Sequence, residues 1–259
     1  MSQDAQLVAA ESSAVVEKRK AAQSFWGRYF SFYDTLNEAI PYREMITTNV
    51  DRLAVTAPAR VLDAGTGTGN VAVELLKRGV DVTGIDFVES ALEACRRKAP
   101  GAEFQFGDLS KPLTFPDDDF DGVVCCCVLH LIDEDARALA VREFARVARP
   151  GAMVVITVFG AGFKSMKVYR ETLRRHRRAH GFLSSVGFGV RYAIASSRIL
   201  YYVRQIRKRE QAGVHKFLTA AATRVLLVQA GLEVTAVEPI FAGQCWIGVA
   251  RKPAASGTA

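Results

Sequence analysis

Apolar and aromatic residues recur at helical spacing from Ala14 to Ile40, with Phe25, Trp26, Tyr29, Phe30, Phe32 and Tyr33 crowded together. Pro41 suits the first turn of a second helix, running to about Leu53, because its missing N–H costs nothing there. The period then shortens. Apolar runs typical of strands cover Arg60 to Asp63, Val80 to Asp86, Glu103 to Phe106, Phe120 to Leu129 and Met153 to Phe159. Helical stretches at Asn70 to Arg78, Glu89 to Lys98 and Asp133 to Ala148 separate most of them. In the last of these helices Ala136, Leu139, Ala140, Phe144 and Val147 form one apolar side. Phe120 to Leu129 holds almost no polar residue, the pattern of a strand covered on both faces. Thr219 to Ala230 predicts a final helix closed by Gly231. Glu233 to Val237 and Gln244 to Ala250 predict two last strands. The short turn from Pro239 to Gly243 forces that pair antiparallel. Strands joined through helices imply right-handed crossovers and an α/β, doubly wound sheet.

One stretch departs from the alternation. Phe163 to Ala179 and Val190 to Glu210 read as helices, broken between by Gly181, Gly187 and Gly189. From Ala161 to Lys216 there are 14 Lys/Arg and 2 Asp/Glu, against 20 and 25 in the rest of the chain. The net charge of +7 therefore belongs to this segment alone. The organisation read from these shifts is a helical region at 1–57, an α/β core at 58–160, a basic helical insertion at 161–215 and a return to the core at 216–253. A length of 259 residues suits one domain with an insertion. No apolar run reaches the ~18 residues that span a bilayer. Met1 to Ser13 lacks the basic-then-apolar pattern of a signal peptide, so a cytoplasmic location is expected, with frayed tails there and at Pro253 to Ala259. Cys125, Cys126 and Cys127 are consecutive and point alternately along a strand, so with Cys95 and Cys245 they read as reduced thiols. No metal-ligand spacing occurs.

The chemistry concentrates at Val61 to Gly69, VLDAGTGTG. This is a strand that stops, turns on glycines and feeds a helix, so a ligand can approach the backbone. Asp63 at the strand end offers an acceptor at the mouth, which favours a cationic or donor-rich ligand end over a bare pyrophosphate. Asp86 ends the second strand, 17 residues after Gly69, where an acid can accept both ribose hydroxyls. Asp108 and Leu109 follow the third strand, where a carboxylate can accept from an adenine amino group and a backbone N–H can donate to its ring. Phe87 and Phe106 are placed to sandwich a flat base. A dinucleotide fingerprint fails counted from Gly65, since its last place falls on Asn70. Counted from Gly67 it falls on Ala72 and succeeds, so the glycines alone leave that alternative open.

VLDAGTGTG, VTGIDF, FQFGDL, FDGVVCCCVLHLI and RVARPGAMVVITVF, in this order and spacing, resemble the class I S-adenosylmethionine-dependent methyltransferases. With FWGRYFSFYD near the N-terminus, the chain is similar to the small-molecule branch that includes the ubiquinone/menaquinone-biosynthesis enzymes. The resemblance implies a Rossmann-like seven-stranded sheet of order 3-2-1-4-5-7-6 with strand 7 antiparallel, an N-terminal helical lid and a helical cap after strand 5. It implies S-adenosyl-L-methionine as cofactor. Asp63, Gly65 and Thr68 would line its methionine end, with Gly67 and Gly69 shaping the turn; Asp86 would hold its ribose, and Asp108 and Leu109 would read its adenine. Cys126 would contact it through the backbone, and Tyr33 would close over the sulfonium.

His130, after the fourth strand, is the best-placed titratable group for a general base, if the acceptor must lose a proton. His176, His180 and His215 lie in or near the insertion. Three roles compete for the basic cap. It could cover a small organic acceptor, acidic and held by Arg, aromatic or isoprenoid. It could dock on anionic membrane through the stripe Ile199, Tyr202, Val203 and Ile206, flanked by Arg198, Arg204 and Arg207, to reach a lipid or quinone. It could bind nucleic acid, but the Asn/Asp-Pro-Pro-aromatic and Pro-Cys signatures of nucleic-acid methyltransferases are absent. The first is the expected role, in a monomer or homodimer. A cofactor-binding protein without methyl transfer is the contrasting class.

Overall fold

The computed structural model describes residues 17, 20–211 and 216–254. Most of the expected tails, and His215, lie outside them. Helix α1 covers residues 20–33, a 3-10 turn follows at Asp34–Glu38, and α2 is Ile40–Leu53 with Pro41 in its first turn. The predicted single helix to Ile40 is thus broken, because Ala39 is extended (φ −76°, ψ 115°).

The core alternates β1 (Arg60–Ala64), α3 (Asn70–Leu76), β2 (Asp81–Asp86), α4 (Glu89–Lys98), β3 (Glu103–Phe106), β4 (Phe120–Cys126), α5 (Glu134–Val147) and β5 (Ala148–Phe159). The long α6 (Ser165–Gln211) precedes α7 (Ala220–Gln229), β6 (Glu233–Ile240) and β7 (Cys245–Arg251). The seven strands form one sheet of order β3-β2-β1-β4-β5-β7-β6, in which β7 runs antiparallel to both neighbours. Strand alternation sorts the core into two layers. Val61, Val124 and Val155 face one side with Met45, Leu53 and Leu75; Leu62, Val123 and Ile156 face the other with Phe144, Val147 and Leu227. Local signals set the helix starts. Asp133 accepts the Ala136 N–H at 2.9 Å to cap α5, and Thr219 accepts that of Ala222 at 3.1 Å to cap α7.

Three boundaries differ from the sequence pattern. The fourth strand stops at Cys126, because Cys127 takes a left-handed conformation (φ 61°) and gives its N–H to Thr157 O at 2.7 Å; Leu129–Leu131 is then a 3-10 turn. Pro150-Gly151 lies inside β5, since Gly151 stays tied to the strand neighbourhood through Lys252 O at 2.9 Å. Finally, α6 breaks only at Gly181 (φ 80°, ψ 176°), while Gly187 and Gly189 stay helical. The two halves fold back as a hairpin: Tyr169 stacks on Tyr192 and His176 on Phe188. Gly189 serves this close approach. A Cβ there would stand 3.1 Å from Leu173, and its carbonyl accepts the Tyr169 hydroxyl at 3.0 Å.

Candidate active site

The C-terminal ends of β3, β2, β1, β4 and β5 lie side by side, so the residues just beyond them open onto one cleft of about 700 Å³. Its floor is the glycine turn after β1. The Gly65 and Thr66 N–H groups both donate to Ile85 O, at 2.8 and 2.9 Å. Gly65 has φ 77°, and a Cβ there would overlap the Val128 side chain, so only glycine fits.

Two buried acids stand at this turn. Asp63 accepts the Thr66 hydroxyl at 2.7 Å, and Asp86 accepts the Gly67 and Val88 N–H groups, each at 3.0 Å. Burial pushes the Asp63 carboxyl up to about 7 and that of Asp86 up to about 6. Each is held by a hydroxyl or main-chain N–H groups. A cleft with two costly carboxylates and a glycine floor fits a ligand with a cationic end and hydroxyl donors. Half-buried Asp108 accepts the Ser110 N–H and hydroxyl through Oδ1, at 3.0 and 2.6 Å. Asp108, Leu109 and Phe87 line the β2–β3 end of the cleft.

Asp63, Gly65, Asp86, Phe87, Asp108, Leu109, Cys126, Tyr33 and His130 all line this cleft. Thr68 does not. Its hydroxyl donates to Asp34 Oδ1 at 2.8 Å, tying the glycine turn to the lid instead of facing the ligand space. Phe106 is also outside the lining and 46% exposed. His130 is buried, stacked on Phe159 (centroids 4.3 Å apart) and edge-on to Phe217, with the Phe159 N–H 3.5 Å from Nδ1. It lies in the cleft wall. His176 and His180 sit together in the α6 hairpin.

A second chamber, of about 270 Å³, adjoins the cleft. Tyr29, Tyr33, Tyr42, Cys127 and Phe159 line both, and so form the junction. Burial holds the Tyr33 and Tyr42 hydroxyls well above their ordinary range. The chamber's far wall comes from the inner face of the cap, including Tyr192, Ser196, Ile199 and Val203, and no charged side chain lines it. Ser196 Oγ is buried without a hydrogen bond of normal geometry among the described residues, beside Tyr192. His130 is not part of this chamber.

The cap arginines face elsewhere. Arg174 and Arg175 pair with Glu171, Arg175 also with Glu44, and Arg198 lies over the Phe32 ring. An acidic acceptor held by Arg therefore gets no support from the chamber. The stripe Ile199, Tyr202, Val203 and Ile206 packs inward, with Ile199 and Ile206 each 3% exposed, so it is core and not a membrane face. Sequence reasoning missed Tyr42, Cys127, Phe159 and Ser196. Tyr42 carries a local signal only in following Pro41. The others become visible as site residues once β4, β5 and α6 meet.

Known proteins extend this geometry. The methyltransferase domain family matches residues 61–151. The demethylmenaquinone methyltransferase of Thermus thermophilus is 34% identical over 61% of this chain and 75% of its own length. The Deinococcus radiodurans protein of the same name is 32% identical over 55% of this chain, and the match spans 62% of that relative, less than two thirds. A chain from the complex of the Haloferax volcanii Trm112 methyltransferase activator with a methyltransferase superposes with a TM-score of 0.60. It is 15% identical, and the match covers 88% of this chain and 97% of that one. The strand order, the acid-bearing glycine turn and the extent of the Thermus match agree, and the chain belongs to the class I S-adenosylmethionine-dependent methyltransferases.

Proposed function

We propose that this protein transfers a methyl group to an apolar, planar or isoprenoid-bearing acceptor seated in the chamber beneath the cap. The observation that carries the reading is the meeting of a cleft suited to the cofactor with an uncharged chamber, at the junction of Tyr33, Tyr42 and Cys127. The name borne by the Thermus and Deinococcus relatives supports a quinone-type acceptor.

Bound in the cleft, S-adenosylmethionine would supply an electrophilic methyl carbon; its transfer to a carbon or oxygen of the acceptor would leave S-adenosylhomocysteine and release the proton that the methyl group replaces. Asp63 would hold the cationic amino end, Asp86 the ribose hydroxyls, and Asp108 with the Leu109 N–H the adenine edge. The Cys126 main chain would border the methionine end. Contact with the Cys127 thiol and burial push the Cys126 thiol up, which keeps it protonated and non-nucleophilic. Tyr33 and Tyr42 face the junction, where ring faces and hydroxyls tolerate a sulfonium and exclude water. Ser196 offers its hydroxyl to an acceptor oxygen. His130 braces Phe159 at the junction, so its role is positioning.

The test is release of S-adenosylhomocysteine, followed by mass spectrometry, with a demethylated naphthoquinol and with an aromatic carboxylic acid as acceptors. Turnover with the quinol alone is expected. Preference for the acid would sink the apolar reading, and cofactor binding without turnover on any acceptor would favour a non-catalytic role.

A further inference from the structure

The second half of α6 is apolar on two opposite faces. Inward, Tyr192, Ser196, Ile199 and Val203 wall the chamber. Outward, Val186, Val190, Ile194 and Tyr201 recur at helical spacing and are exposed, Val190 by 60% and Ile194 by 69%. At the hairpin tip Phe182 and Leu183 join them, Leu183 being 86% exposed. A helix of a water-facing protein normally keeps one face polar. A row of exposed apolar side chains of this kind marks a surface that is covered in use.

The surrounding charge decides by what. Arg174, Arg177 and Arg178 are exposed before the tip, and Arg191, Arg204 and Lys208 are exposed along the same half-helix. The guanidinium of Arg177 lies over the Phe182 ring at 5.2 Å. Glu171 and Glu210 are the only acids in the helix. A second copy of this chain would bring the same positive charge against it, whereas an anionic lipid surface complements it. Apolar side chains pointing outward with Arg and Lys around them are the arrangement of a helix lying in the headgroup region. Among the described residues no helix is long and apolar enough to cross a membrane.

We infer that the outer face of the α6 hairpin docks on an anionic lipid bilayer. The chamber mouth supports the same geometry. Met166 and Ala193 line the chamber and are exposed, and Ala193 adjoins Ile194 of the outer face. The half-helix is thus a partition, with lipid on one side and the acceptor chamber on the other. An isoprenoid-bearing acceptor can pass from bilayer to chamber around its edge without crossing water. This route rests on the methyl-transfer reading above; the docking itself does not.

Sedimentation with vesicles tests it, using the full chain with phosphatidylcholine alone and with phosphatidylcholine containing phosphatidylglycerol. Binding is expected only to the phosphatidylglycerol vesicles, weakening in high salt. The double variant Val190→Glu/Ile194→Glu, altered at exposed positions outside the chamber, is expected to lose at least about tenfold in vesicle affinity. Its cofactor binding and circular dichroism should stay unchanged. A Leu183→Trp variant should show a blue-shifted emission on vesicle addition. Absence of binding to phosphatidylglycerol vesicles, or equal binding by the double variant, overturns the inference. So does a concentration-dependent dimer that the double variant abolishes, since the face would then belong to a second copy. Cofactor titration of the same samples keeps the two readings apart, because loss of cofactor binding bears on methyl transfer alone.

Discussion

The mouth of the sheet and the cap present opposite chemistry. At the sheet mouth stand a few buried polar groups: Asp63 accepts the Thr66 hydroxyl, and Asp86 accepts the Gly67 and Val88 N–H groups. In the cap, the side chains facing the chamber are uncharged and, apart from Ser165 and Ser196, apolar or aromatic, while the charge that dominates its composition points away. Specific hydrogen bonds discriminate one ligand sharply, because an unmet buried partner is costly. An apolar wall selects by shape and admits a range of acceptors. The two halves of the site should therefore respond to substitution independently.

The largest separation is expected from Asp86→Ala. It removes a carboxylate placed for two charge-assisted hydrogen bonds, so the dissociation constant for S-adenosylmethionine should rise about 100-fold. Isothermal titration calorimetry measures this, and a change within about threefold would remove Asp86 from the cofactor site. The counterpart in the cap is Ala193→Trp at the chamber mouth. It should lower kcat/KM for an apolar acceptor about tenfold with the cofactor constant unaltered. A matching loss of cofactor affinity would mean that cleft and chamber are not separate.

Acidification should act on the sheet mouth alone. Asp63 must be ionised to hold a cation, and its carboxyl sits at about 7 when no ligand is bound. Cofactor affinity should then fall about tenfold for each pH unit below about 7, and level off above it. A flat profile from pH 5.5 to 8 would show that Asp63 does not face the cationic end. For the ligand-free protein the sign is opposite. Both Asp63 and Asp86 are raised, so the folded state holds protons that the unfolded chain has released. Their contribution to stability is therefore full at low pH and is lost as pH rises from about 4 through 7.

The smallest effect is expected from His130→Ala. As a brace for Phe159 it should raise the acceptor KM by less than about tenfold, leaving the pH profile of kcat in place. A collapse of kcat with loss of a titrating limb would instead make His130 the general base.

How well each region could be read in advance follows the same division. The glycine turn, the acids at the ends of β1, β2 and β3, the strand order and the antiparallel last pair follow from short-range pattern and a family-specific order of motifs. Thr68 shows the limit even there. Its spacing suits a cofactor contact, but the hydroxyl is taken by Asp34, a residue 34 positions away on the lid. In the cap the same limit governs everything. Gly181, Gly187 and Gly189 look alike as helix breakers, yet only Gly181 breaks the helix, and Gly189 is instead one of the points where the two halves touch. The stripe through Ile199 and Ile206 has the spacing of a membrane face but packs inward, and its opposite is exposed.

The frame of the cofactor cleft was thus determined along the chain itself, because a turn that needs glycine and an acid at a strand end are local requirements of backbone geometry; the methyl donor followed from the order of motifs shared with the family. The acceptor chamber was decided only in three dimensions. A helix with apolar residues on both faces has no pattern that says which face turns inward; that choice belongs to the lid, to β4 and β5, and to the other half of the hairpin against which it packs.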